Sequence, residues 1–257
     1  MDGSTPVAVV TGASKGIGLA VVEALVRDGF AVVAGSRTSS ARLDALVEAG
    51  SVRFAAVDLA QPEGALRLAE AAGDRVDVLV NNVGAVHPRT EGFLAIDDEA
   101  WWSTLNLTLL AAVRTTRAVL PVMLAAGHGS IVNVVSVNAS LPDPGVLDYS
   151  AAKAALASFG KALSKEVGPS GIRVNAVDPG PVATDLWLGS GGVADTLAAA
   201  GGGRPEAIAA AAVAGTATKR FTRPEEVAEI VAFLAGDRVP NLTGAAVRID
   251  GGLIPTL

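Results

Sequence analysis

The chain has no cysteine, two histidines, one tyrosine and five lysines in 257 residues. Without a thiol there is no disulfide, no thiolate nucleophile and no thiolate metal site, and the composition fits a reducing, cytoplasmic compartment. The histidines, His87 and His128, stand too far apart for a local zinc motif, so no metal is expected. Basic residues are outnumbered, 20 against 26 acidic, and a net charge of −6 offers no broad surface to a phosphate backbone. Nucleic acid is therefore not an expected partner. The first residues lack a basic stretch ahead of an apolar one, so they do not read as a signal peptide. Gly and polar breaks interrupt every apolar stretch, so no transmembrane helix is expected.

What remains is a chain that is 50% hydrophobic, enough for a sizeable core. Short β-branched runs at 7–12, 30–36, 52–59, 76–82, 130–136, 172–180 and 245–250 alternate with Ala/Leu-rich stretches. Such alternation predicts βαβ units in one α/β, doubly wound sheet of about seven parallel strands, with about six helices on its two faces. The elements fill 1–257 as a single domain. Only 185–218, rich in Gly and Ala, breaks the rhythm; its Trp187, Leu188 and Leu197 favour a lid beside a ligand over a solvated loop.

After the first run comes TGASKGIG, Thr11 to Gly18. Gly12, Gly16 and Gly18, with Ser14, Lys15 and Ile17 between them, allow a tight turn and a close approach of backbone to a ligand. The following helix N-terminus offers free N–H groups to a pyrophosphate. The same letters match the G-x-S-x-G elbow of a hydrolase around Ser14, although that motif sits deep in its sheet and only about ten residues precede Ser14 here. At the end of the second run an acidic residue would accept from a ribose, whereas Ser36 and Arg37 stand here. Arg37, with Lys15 as a second cation, predicts NADP(H) rather than NAD(H).

The single tyrosine and a lysine stand four residues apart in DYSAAK, within a helix running from Tyr149 to Val167 and stopped by Gly168 and Pro169. Tyr149 and Lys153 share one face of it. An ammonium beside a phenol favours the phenolate, which predicts a Tyr149 pKa lowered towards working pH and a role in proton transfer. Ser136 closes the fifth run, where strand ends in an open α/β sheet meet the ligand crevice.

Together TGASKGIG, NNVG, the Ser136/Tyr149/Lys153 set and RIDGGL resemble the short-chain dehydrogenase/reductase family over nearly the whole chain. The resemblance implies a Rossmann-type sheet and hydride transfer between a nicotinamide and a carbonyl or secondary alcohol. It implies that Tyr149 is the acid/base, that Ser136 holds the substrate oxygen, and that Lys153 shifts the phenol and binds ribose. Asn106 matches the family asparagine that supports a water-linked relay to the lysine. Asp58 and Leu59 match the adenine contact, Asn82 and Gly84 the turn after the fourth strand, and Pro179, Gly180, Val182 and Thr184 the segment that orients the carboxamide. Val83 and Val135 depart from the family, which usually has alanine and often serine there. The nearest general look is that of 3-oxoacyl-thioester reductases, which makes ketone reduction the expected direction. An alcohol or hydroxysteroid dehydrogenase, or a non-catalytic NADP-binding scaffold, would share many of these features. A small carbonyl or alcohol substrate is implied, with His87 and Trp187 as candidate contacts, and assembly as a homotetramer or dimer through the helices of Asn106 and Tyr149, with no membrane partner.

Overall fold

The computed structural model describes residues 5–256. All seven β-branched runs become strands: β1 (Val7–Thr11), β2 (Ala31–Ser36), β3 (Val52–Ala56), β4 (Val78–Asn81), β5 (Gly129–Val134), β6 (Ile172–Pro179) and β7 (Ala246–Ile249). They form one sheet in the order β3-β2-β1-β4-β5-β6-β7, with every neighbouring pair parallel. The direction of winding reverses between β1 and β4, and there the strand ends open a crevice.

Covering both faces is what the strand composition demands, since β1, β2 and β4 are buried at every position. Alternate side chains divide between two cores. Ala8, Val10, Val80 and Val132 meet α1 (Gly16–Arg27) and α10 (Pro224–Ala235) through residues such as Leu25 and Val231. Val9, Leu79, Ile131 and Val174 meet the opposite layer: α3 (Pro62–Ala72), α5 (Ala111–Ala126) and α6 (Leu147–Val167). Leu68, Met123 and Leu163 fill that second core. Each fully buried side chain of this size contributes about 1.5–3 kcal/mol relative to exposure, so the two cores hold the sheet as a rigid platform for its loops.

Helix α2 (Ala41–Glu48) follows β2, and α4 (Asp98–Leu105) runs through a π-turn at Asn106–Leu110 directly into α5. The span Asp98–Ala126 is long and apolar enough to cross a membrane, with a window of mean hydropathy 1.5. Polar residues interrupt it as expected, at Thr104, Asn106, Thr108 and Arg114 among others. Its packing is internal: one stripe, Thr104, Thr108, Ala111, Thr115, Val119 and Met123, is buried, and α5 packs on α3 and β5. A departure concerns 185–218, which folds into α7 (Asp185–Leu188), α8 (Val193–Gly201) and α9 (Pro205–Ala214). Its alanines supply helix propensity that outweighs the glycines, which fall at the helix ends. The described residues thus hold ten α-helices where about six were expected.

Candidate active site

The glycine loop between β1 and α1 is held in shape by backbone geometry that only glycine tolerates well. Gly12 and Gly16 have φ of +66° and +54°. A Cβ on Gly18 would stand 2.1 Å from Gly12 O and 2.7 Å from Asn82 Nδ2, so this third glycine lets the helix close on the strand. Asn82 clamps the turn by donating its amide to Thr11 O (3.0 Å) and Gly12 O (3.3 Å). Its backbone N–H donates to Thr11 Oγ1 at 2.8 Å. Asn82 is thus a buttress of the loop as well as a wall of the cleft.

A cleft of about 1190 Å³ runs from this loop across the ends of β1, β4, β5 and β6. Every catalytic and cofactor-binding residue singled out in the sequence lines it except Gly18, which lies behind the loop. At one end stand Arg37, Lys15 and Ser36, with Asp58 and Leu59 beside them. Lys15, at the N-cap of α1, makes no side-chain cap bond, so the first-turn N–H groups face the cleft uncapped. Thr184 stands against the glycine loop, where a Cβ on Gly16 would meet its Cγ2 at 3.2 Å. Free helix-terminal donors, a cradle that a Cβ would obstruct and two cations at the far end fit a phosphorylated dinucleotide.

At the other end Ser136, Tyr149 and Lys153 converge. Ser136 follows β5 and lines the same wall of the cleft as the Tyr149 phenol, while its Oγ accepts from Asn138 N at 3.2 Å. One helical turn separates Tyr149 from Lys153, whose Nζ lies 5.7 Å from the ring centroid and donates to Val134 O at 2.6 Å. Lys153 is 3% exposed.

Burial reverses the expected acidity of the phenol. It pushes Tyr149 up to about 12, with the Ser136 hydrogen bond pulling the other way. Desolvation likewise pushes Lys153 down to about 8, opposed by the charge of Asp178. In the protein alone the phenol is not brought towards neutral pH, because burial outweighs what Ser136 offers the phenolate and what Asp178 offers the ammonium. The phenol is thereby a protonated donor throughout the physiological range.

Asn106 and Lys153 are not joined by a hydrogen bond. The Asn106 amide donates to Ala60 O at 2.9 Å, and its Oδ1 accepts from Arg114 Nη1 at 2.7 Å. The helix neighbour on the lysine's side is Thr108, whose methyl and Lys153 Nζ would stand 3.8 and 3.5 Å from a Cβ on Gly84. Thr108 is fully buried and its Oγ1 has no hydrogen-bond partner among the described residues. The buried stripe of the helix was the available signal: Thr108 lies on it four residues after Thr104, and Asn106 does not.

Sequence reasoning also missed a clamp beside the tyrosine. Asp148 is 1% exposed and accepts from Thr104 Oγ1 at 2.6 Å and from the Arg89 guanidinium. Arg89 N donates to Gly145 O at 2.7 Å. These contacts bind the loop after β4 to the start of α6. Burial alone would raise the Asp148 pKa, but the bonds from Arg89 and Thr104 and the Arg89 charge hold it below the ordinary carboxyl value.

Of the candidate ligand contacts, Trp187 and Leu197 line the cleft, Trp187 stacking edge-on against Phe221 at 5.8 Å. Leu188 is half exposed and His87 is exposed; neither lines it. His128 stands 3.4 Å from Asp77, at the start of β5 and away from Ser14. A hydrolase triad around Ser14 therefore has no histidine.

A parallel sheet with a glycine loop at its switch point and a Ser–Tyr–Lys set across the cleft defines a nucleotide-dependent oxidoreductase. The family model for short chain dehydrogenases matches residues 6–190, and the chain belongs to that family. It is 36% identical over 253 residues to the short-chain reductase NovJ of Streptomyces niveus, covering 96% of this chain and 93% of that protein. It is 33% identical over 252 residues to the 3-oxoacyl-[acyl-carrier-protein] reductase of Escherichia coli, covering 96% of each. Among solved structures, L-sorbose reductase from Gluconobacter frateurii, complexed with NADPH and L-sorbose, superposes with a TM-score of 0.89 at 35% identity, covering 99% of this chain and 98% of that one. A variant of the actinorhodin polyketide ketoreductase with NADPH gives 0.89 at 33% identity and 97% coverage of both.

Proposed function

We propose that this chain reduces a ketone to a secondary alcohol with NADPH. The observation that carries the reading is the convergence of Ser136, Tyr149 and Lys153 on one wall of a cleft whose far end presents Arg37 and Lys15. When bound, NADPH supplies the hydride. The uncapped turn of α1 and the glycine loop would hold its pyrophosphate, Arg37 and Lys15 its additional phosphate, and Lys153 its ribose. Ser136 Oγ orients the carbonyl oxygen, and Tyr149, protonated at neutral pH, delivers its proton to that oxygen as the alcohol forms. Pro179, Gly180, Val182 and Thr184 wall the nicotinamide end.

Pro142, Val146, Trp187, Leu197 and Leu253 make the substrate end partly apolar, which suits a 3-oxoacyl thioester or another ketone with an apolar arm. Helices α7 to α9 form the lid of this end. A second copy of the chain would cover α4 and the turn before it, where Trp102 on the helix is 65% exposed and Phe93 and Leu94 on the turn are 61% and 96% exposed. A cytoplasmic location belongs to the same reading, supported by the cysteine-free composition.

The test follows NADPH and NADH oxidation in parallel against ketones that include a 3-oxoacyl thioester, with Tyr149→Phe as control. Oxidation of NADPH ahead of NADH, abolished in Tyr149→Phe while NADPH binding persists, is the expected result. Unchanged turnover in that variant would sink the mechanism, and NADH preference would overturn the roles of Arg37 and Lys15. Light scattering of the same sample reports the assembly; a 25.7 kDa monomer would remove the second copy.

A further inference from the structure

Lys153 is a buried cation with a single hydrogen bond among the described residues, the one to Val134 O. A carbonyl oxygen is a poor counterpart for a full charge deprived of water. Tyr149 and Ser136, its neighbours in the cleft, are neutral at working pH, and Thr108 on the helix side is uncharged. Asp148, adjacent in sequence to Tyr149, is occupied by Arg89 and Thr104. The remaining direction is the sheet.

Along β6, Ile172 and Val174 face the α5 and α6 layer, and Ala176 packs with Leu156 of α6. The next residue on that face is Asp178, and Lys153 lies nearly one turn before Leu156 on the helix. The alternation of the strand therefore turns this carboxylate to the face of the sheet that carries α6 and the lysine. Its Oδ1 is buried without a hydrogen-bond partner among the described residues. Across the ladder Asp178 pairs in register with Arg248 of β7, an exposed cation that donates to Thr256 O at 3.1 Å. Lys153, Asp178 and Arg248 thus alternate in charge from the cleft to the open edge of the sheet.

We propose that Asp178 is a positioning residue of the active site, the counter-charge that keeps Lys153 protonated so that it can hold the cofactor ribose and support proton transfer at Tyr149. It acts through Lys153 and touches neither substrate nor the reacting atoms. The electrostatics agree: burial raises Asp178 to about 6, with Arg248 and then Lys153 opposing, and burial pushes Lys153 down to about 8, with Asp178 opposing. Between those values the two stand as opposite charges. The proposal rests on the role assigned above to Lys153, and its test separates the two.

NADPH affinity is measured by fluorescence titration from neutral to alkaline pH, without ketone, in the parent chain, Asp178→Asn, Asp178→Glu and Lys153→Arg. In the parent, affinity falls as Lys153 loses its proton. Asp178→Asn keeps the size of the side chain and removes its charge, so the fall moves to lower pH by about one unit or more, the effect of losing an opposite charge at close range. At the parent midpoint this amounts to a loss of several-fold in affinity. Asp178→Glu restores the parent profile, and Lys153→Arg, which does not titrate in this range, abolishes the limb. The alkaline limb of turnover should move with it. If Asp178→Asn does not fold, Asp178→Ser supplies a smaller neutral side chain for the same measurement. A limb that Lys153→Arg removes but neither neutral variant moves overturns the proposal while leaving the role of Lys153 standing. A limb that survives Lys153→Arg overturns both.

Discussion

Replacing Arg89 by methionine keeps the aliphatic stem of the side chain and removes only the guanidinium that faces Asp148. The carboxylate left behind is 1% exposed and retains Thr104 Oγ1 at 2.6 Å as a neutral donor. Breaking a buried ion pair by deleting one partner costs about 3–5 kcal/mol; Arg89, 19% exposed, puts this pair at the lower end, about 3 kcal/mol. With roughly 2–4 °C per kcal/mol for a chain of this size, Tm falls by about 6–12 °C. The pH dependence is a sharper signature than the size. In the parent chain Asp148 has a folded pKa below its unfolded value, so its contribution is complete above the unfolded carboxyl range and is lost as pH falls through and below it. In Arg89→Met the charge and the hydrogen bond of Arg89 no longer oppose burial and only Thr104 and a backbone bond still do, so the folded pKa rises above its parent value, and the variant's deficit is fullest at neutral pH and relieved as pH falls towards the carboxyl range. Urea denaturation from neutral to mildly acidic pH should therefore show the deficit shrinking on acidification, and Arg89→Met/Asp148→Asn should recover most of it. A loss below about 1 kcal/mol, or a deficit independent of pH, would refute the assignment of a buried, load-sharing pair.

Two further outcomes follow from local geometry. Gly18→Ala forces a Cβ to within 2.1 Å of a backbone oxygen that has no room to retreat, so NADPH affinity should fall at least tenfold by fluorescence titration; parent-like affinity would show that the loop tolerates a wider turn. Thr108→Val removes an unpartnered buried hydroxyl beside Lys153 with little change of shape, whereas Asn106→Ala strips the bonds to Ala60 and Arg114. If proton supply passes on the Thr108 side, Thr108→Val lowers turnover with little change in thermal stability, and Asn106→Ala lowers stability more than turnover; the reverse pattern, read by melting curves and initial rates, returns the relay role to Asn106.

The seven strands were legible in the sequence because a parallel sheet buried on both faces needs uninterrupted β-branched runs, and these recur at Val7, Ala31, Val78 and Ile172 almost at their observed bounds. The cleft was legible too, since Gly12, Gly16, Ser136, Tyr149 and Lys153 each act through a short-range requirement: a positive φ, a strand end, one helical turn. What sequence alone left open depends on side-chain direction and on water. Asn106 and Thr108 are two residues apart on one helix, and only the packed stripe decides which adjoins Lys153. The acidity of Tyr149 turned on desolvation, which spacing does not encode. Arg89 and Asp148 are 59 residues apart, and Lys153 and Asp178 are on different elements. The Arg89–Asp148 pair exists only once the loop after β4 is folded against α6, and the proposed Asp178 counter-charge only once the end of β6 is, because the field of a charge is set by distance and dielectric, and the chain fixes neither until it is folded.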